Sequence, residues 1–155
     1  MTVVEDRSQS FRDFARDAEP KLRYALVAGH GADRGLEALN DALVHGWQHW
    51  DRVRTMDNPI GYLYRVGQSK ARRRRKRMPN LEEQHEHRAP WIEPGLSRAL
   101  DTLSRRQREV IVLVGAFEYT QREAADVLGI TPSSVRTHLD RAMQVLRREL
   151  GVTDV

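Results

Sequence analysis

Apolar residues recur three and four positions apart along most of the chain, and the two-residue alternation of a half-buried strand is hard to find. The pattern therefore predicts helices throughout and an all-α fold. Phe11, Phe14 and Ala18 mark the inner face of a first helix that continues past Pro20 to Leu22, Ala25 and Leu26. A kink or break is expected at the proline, which removes a donor from the helix interior. From about Asp33, Leu36, Leu39, Leu43, Trp47 and Trp50 line up as one apolar face, which predicts that both tryptophans are core. The stretch from Asp51 to Asn58 is expected to be an exposed loop. Asn58 is a suitable N-cap, with Pro59 at the first helical position where its missing N–H is harmless. A third helix should start there and bury Ile60, Leu63, Val66 and Gly67.

The C-terminal part is punctuated more sharply. Ser104 with Gln107 and Thr120 with Glu123 have the spacing of capping boxes, so helices should start at both. Gly129 follows Leu128 as a left-handed terminating residue would, and Thr131-Pro132 opens a final helix to about Leu150. Three residues separate those two helices, the geometry of a helix-turn-helix whose second helix can enter the major groove. Ala125, Gly129 and Val135 are small where the two helices approach, and Leu128, Ile130 and Leu139 complete a small core. The outward face of the last helix then offers Ser133, Ser134, Arg136, Thr137 and Arg141, donors suited to phosphates and base edges.

Between these parts the composition shifts. From Pro59 to Arg77 the chain carries Arg65, Lys70, Arg72, Arg73, Arg74, Arg75, Lys76 and Arg77 and no acid. Prolines at 79, 90 and 94 and a cluster of glutamates follow, which reads as a linker. Two modules result, about residues 8 to 77 and about 96 to 151, joined by 78 to 95. With 155 residues, the chain is too short for the large α/β enzyme folds. The formal charge is only +4, so the clustering of arginine rather than its total points to a polyanionic partner. No cysteine is present, which removes thiolate metal sites and Cys nucleophiles from consideration. Neither a secretory signal nor a membrane-spanning run is found, so a cytoplasmic protein without membrane insertion is expected.

The order of these parts resembles the extracytoplasmic-function (ECF) sigma factors of bacterial RNA polymerase. Leu103 to Val110, Tyr119 to Ala125 and Val135 to Ala142 are similar to the family's second domain. Ala42 to Val53 and Asn58 to Val66 are similar to its core-binding and melting helices. The resemblance implies a sigma factor that binds core RNA polymerase and promoter DNA, with an anti-sigma factor as a possible further partner. It implies minus-thirty-five contacts from Thr120, Ser133, Ser134, Arg136, Thr137, His138 and Arg141. Minus-ten contacts would come from Arg54, Asn58, Tyr62, Arg65, Arg72 and Arg73, with the loop before Asn58 holding a flipped base. Core-polymerase contacts would come from Asn40, Asp41, Val44, Trp47 and Gln48. Arg34, Gly35, Glu37, Asn40 and Asp41 stand where the family usually shows an acidic, glutamine-bearing face, and Ser69 replaces its usual Asn.

Other chemistries are weaker. Opening DNA needs a pocketed or stacked base beside a basic strand path, and the loop from Arg52 to Asn58 next to Tyr62, Tyr64 and the arginine run has those parts. Tyr62 and Tyr64 each read first as core residues. His45 and His49 are four apart on a helix, yet no Glu follows His45 and no third ligand is apparent, so no metal site is expected. His85 and His87 lie in the acidic linker, where solvation is the ordinary outcome. No catalytic triad, phosphate-cradling loop or cofactor motif emerges, and an enzyme is not expected. An autonomous helix-turn-helix regulator is the alternative, although no dimerising element follows Gly151. A degenerate sigma-like protein that binds DNA without opening it is another.

Overall fold

The computed structural model describes residues 3–77 and 94–152, and every element among them is a helix. Contacts divide the chain into two units, Met1–Glu86 and His87–Val155. The first contains α1 (Val3–His30), α2 (Ala32–Gln48), α3 (Trp50–Val53) and α4 (Pro59–Arg77); the second contains α5 (Pro94–Asp101), α6 (Arg105–Gly115), α7 (Gln121–Leu128) and α8 (Pro132–Leu150). Apart from Pro94 and Gly95, which are helical, the expected linker and its two histidines lie outside the described residues. No described helix is long and apolar enough to cross a membrane.

Pro20 does not break α1, which runs unbroken on both sides of it. An interior proline costs about 3 kcal/mol, but Leu22 and Leu26, both fully buried, contribute roughly 1.5 to 3 kcal/mol each by leaving water. Ala18 and Ala25, also fully buried, continue the same face across the proline. Burial of a continuous face therefore outweighs the local defect, and Pro20 itself is exposed.

The expected inner face of α2 is rotated. Leu36 and Trp47 are 41% and 36% exposed, whereas Gly35, Ala38, Leu39, Ala42 and Gly46 are buried. These mostly small residues let α2 lie close against α1 and α4, with which it packs. A Cβ on Gly35 would fall 2.5 Å from the Val27 Cα, so backbone meets backbone and only glycine fits. Trp50 no longer shares a face with Trp47, because His49 leaves the helical conformation between α2 and α3. The Trp50 indole is buried against Phe14 (4.9 Å between ring centroids) and Phe11 (5.3 Å), and its Nε1 donates to Ser10 Oγ at 3.2 Å. Trp47 meets Phe11 edge to face, with 5.5 Å between ring centroids.

The supposed loop after Asp51 begins as the helical turn α3, whose Val53 is fully buried. Asn58 caps α4 as expected, its Oδ1 accepting the Gly61 N–H at 2.9 Å. The buried face of α4 is Leu63, Tyr64, Gly67, Gln68 and Ala71, and Ile60 and Val66 are only half-buried. Gln68 is the polar member of that core; it bonds His30 Nε2 at 2.8 Å and the Tyr64 hydroxyl.

In the second unit α8 packs on α5, α6 and α7. Both capping boxes form. Ser104 Oγ accepts the Gln107 N–H and Gln107 Oε1 accepts the Ser104 N–H, with the same exchange between Thr120 and Glu123. The helix α5 ahead of them carries no such signature. Its end is held by Arg108, whose Nε donates at 3.0 Å to the Leu100 carbonyl, which also accepts the Leu103 N–H.

Candidate nucleic-acid interface

The turn between α7 and α8 is built as the spacing predicts. Gly129 has φ +66 and ψ 36, the left-handed conformation that glycine adopts without penalty. The Ile130 N–H then reaches back to the Ala125 carbonyl at 3.1 Å. Thr131 caps α8, accepting the Ser134 N–H at 3.2 Å, with Pro132 at the first helical position. Ala125 and Val135 are buried at the crossing, while Leu128, Ile130 and Leu139 are half-buried rather than fully enclosed.

The candidate residues on this unit divide by what their side chains already do. Thr120 is spent on its cap. Ser133 and Ser134 share their hydroxyls with Thr131 at 3.0 and 2.9 Å. Thr137 Oγ1 donates to the Ser133 carbonyl at 3.1 Å, and His138 is half-buried. Arg136 and Arg141 are exposed and form no ion pair among the described residues. They are the groups on α8 best placed for an external anion or base edge.

On the first unit Arg54, Arg65 and Arg73 are exposed, Arg72 is half-buried and Asn58 is committed to capping. Tyr64 is core at 1% exposure. Tyr62 is half-buried, its hydroxyl bonded to Arg52 Nη2 and His45 Nε2, both at 2.8 Å. The rings of His45 and His49 stack at 4.3 Å. Burial first, then the positive charges of His49, Arg52 and Lys70, hold the His45 pKa below its ordinary value. The arginine run is not uniformly available: Arg74 pairs with Glu37 at 2.7 Å and with Asp41 at 2.9 Å, both on α2. The run therefore serves partly to bind α4 to α2.

Asn40, Val44, Trp47 and Gln48 are all exposed, and Asp41 is half-buried in its pair with Arg74. Leu36, Val44 and Trp47, 41%, 46% and 36% exposed, lie along one side of α2 with Asn40 among them. Large apolar groups exposed in a row on one helix mark a contact surface. Leu36 belongs to this row although its apolar character suggested core. The signal was present in Gly35, Ala38, Ala42 and Gly46, whose three- and four-residue spacing defines the packed face and places Leu36, Asn40 and Val44 opposite. Arg7 completes the end of the row: its guanidinium lies 4.5 Å from the Trp47 ring and pairs with Asp51. Among the described residues no group of three His, Cys, Asp or Glu is arranged to hold a metal.

The chain is similar to known proteins in sequence and in fold. Residues 95–146 match the Sigma-70, region 4 family. Over 94% of its length the chain is 27% identical to the ECF RNA polymerase sigma factor EcfG of Rhodopseudomonas palustris, covering 87% of that protein. It is 28% identical to the RNA polymerase sigma-E factor of Streptomyces antibioticus over 90% of the chain and 73% of the relative. Among solved structures, the sigma factor RpoE of Bartonella quintana, in complex with the anti-sigma factor NepR, matches with a TM-score of 0.79 at 23% identity. The match covers 94% of this chain and 99% of that one. CnrH, in complex with the cytosolic domain of CnrY, matches with a TM-score of 0.70 at 25% identity over 95% and 91%.

Proposed function

From the premise that the chain belongs with the ECF sigma factors, we propose that it binds core RNA polymerase and directs it to a two-part promoter. The observation that carries this reading is the exposed row Leu36, Val44 and Trp47 beside the basic helix α4, in the same chain as a helix-turn-helix. A monomer that acted on DNA alone would leave the first unit's apolar row without a partner. Residues 8 to 77 would supply the polymerase contact, through Asn40, Asp41, Val44, Trp47 and Gln48, and the minus-ten contact, through Arg54, Asn58, Tyr62, Arg65, Arg72 and Arg73. Residues 78 to 95 would connect them to residues 96 to 151, where Arg136 and Arg141 lead a minus-thirty-five contact that includes Thr120, Ser133, Ser134, Thr137 and His138.

The physical division of labour follows from what each surface offers. Arg136 can reach a base edge from the exposed side of α8, where bidentate geometry to guanine confers selectivity. The arginines of α4 neutralise backbone phosphates, which gives affinity without sequence preference. The apolar row on α2 is suited to a helical partner, and the complexes of RpoE with NepR and of CnrH with CnrY extend the proposal to an anti-sigma factor for this chain. As a sigma factor the protein adds no reaction of its own. Its action belongs in the cytoplasm, where polymerase and promoter meet.

The test is transcription from fragmented genomic DNA by core polymerase with and without the protein, with start sites mapped. New start sites that share two sequence blocks at fixed separation are expected. An unchanged set of starts would contradict the proposal.

A further inference from the structure

We propose that His45, His49, Arg52 and Tyr62 form a proton-linked binding site for a phosphodiester group of DNA. The inference rests on the reading of α4 and the loop before it as the surface that holds the opened strand, and adds to that surface a site on α2 and α3.

The hydrogen positions follow from which atoms can donate. A guanidinium has only donors, so the Tyr62 oxygen accepts from Arg52, and its own hydrogen is free to turn toward the Nε2 of a neutral His45. His49 Nδ1 lies 3.0 Å from the His45 carbonyl, which can only accept, so that nitrogen carries the hydrogen and Nε2 is the ring atom left for a ligand. His49 and Arg52 are exposed, and His45 and Tyr62 half-buried.

The charges facing His45 are His49 from the junction of α2 and α3, Arg52 from α3 and Lys70 from α4, all of one sign. The carboxylates nearest in sequence are engaged elsewhere: Asp41 with Arg74 at 2.9 Å, and Asp51 with Arg7, on α1, at 3.4 Å. Beside the stacked His49 ring and the Arg52 guanidinium, His45 resists protonation until an anion arrives, and an anion bound there raises its pKa. Once His45 is protonated, its Nε2 becomes a donor to Tyr62 and the phenol hydrogen is released to turn outward. The proton thus adds a charge and a donor together. Exposed Arg54 follows Arg52 closely in the chain, and exposed Arg65 lies one turn beyond Tyr62 on α4. That spread of cations favours a polyanion with repeated phosphates over a single small anion.

The sign of the linkage is fixed. The bound state holds more protons on His45 than the free state, so affinity rises as pH falls through the raised pKa of the bound ring. It levels off below the lowered pKa of the free one.

The experiment uses the full chain and a single-stranded oligothymidylate of about twelve nucleotides at low salt. Ring C–H resonances of His45 and His49, assigned with H45Q and H49Q, are followed by NMR from about pH 5 to about pH 8 with and without the oligonucleotide. The expected result is a midpoint for His45 raised by about one unit, equivalent to about a tenfold gain in affinity across the transition. The H45Q/H49Q double variant should lose that gain. If the oligonucleotide binds, and R54A/R65A weakens it at every pH, while the His45 midpoint stays put, the phosphodiester site is overturned and the strand-holding surface stands. Failure to bind at any pH, or indifference to R54A/R65A, overturns both. An equal midpoint shift caused by a poly-glutamate peptide would show an acidic-peptide site and overturn the assignment to DNA.

Discussion

Arg136 and Arg141 lie five positions apart on the same helix and are expected to differ in kind. If Arg136 makes a bidentate base contact, R136A costs roughly 1 to 3 kcal/mol on a matching site and relaxes selectivity there. R141A should weaken binding evenly across sequences, as removal of a phosphate-neutralising charge does. Binding of core enzyme with each variant to a promoter and to single-base variants of it separates the two outcomes; indistinguishable profiles would contradict the assignment. A second residue-scale prediction concerns Val44, 46% exposed and without a role in the core. V44D should leave the urea midpoint nearly unchanged, within about 0.5 kcal/mol as for ordinary surface positions, yet abolish capture of core polymerase on immobilised protein. Retained capture would remove the α2 row from the polymerase interface.

At the scale of elements, legibility followed how local the determining interactions are. The capping boxes at Ser104 and Thr120, the Asn58 cap and the Gly129 turn are settled within three or four residues, and all were readable. The orientation of α2 was not, because the helix carries two plausible faces: a large-residue row and a row of glycine and alanine. Which one packs is decided by α1, through the approach of Val27 to Gly35. The helix holds together across Pro20 for the same reason, since the burial that outweighs the proline comes from partner helices. The arginine run of α4 was readable as a cluster but not in its parts, for nothing near Arg74 in sequence announces Glu37 and Asp41. Arg72 and Arg73 should each neutralise a phosphate. Replacing both with glutamine should flatten the logarithmic salt dependence of promoter-complex formation by about 0.7 for each single-strand phosphate, or about 0.9 for each duplex phosphate, no longer neutralised. R74Q should leave that slope unchanged, and its effect on stability should be small, because the pair is exposed to solvent. A slope that responds to R74Q as strongly as to the other two would mean that its ion pairs open in the complex.

For the whole molecule, the two units matter less singly than together. One helix-turn-helix without a symmetric partner reads few base pairs and buries little surface, so the chain alone should bind promoter DNA weakly and with poor discrimination. Core polymerase would convert two weak attachments into one intramolecular pair, with a gain set by the connection between residues 77 and 94. The most direct measurement is a titration of labelled promoter with the chain alone, with the chain and core enzyme, and with the two halves supplied as separate chains in the presence of core. The account predicts weak, unselective binding by the chain alone, tight selective binding with core, and loss of selectivity when the connection is cut. Tight, sequence-selective binding by the chain without polymerase would contradict it.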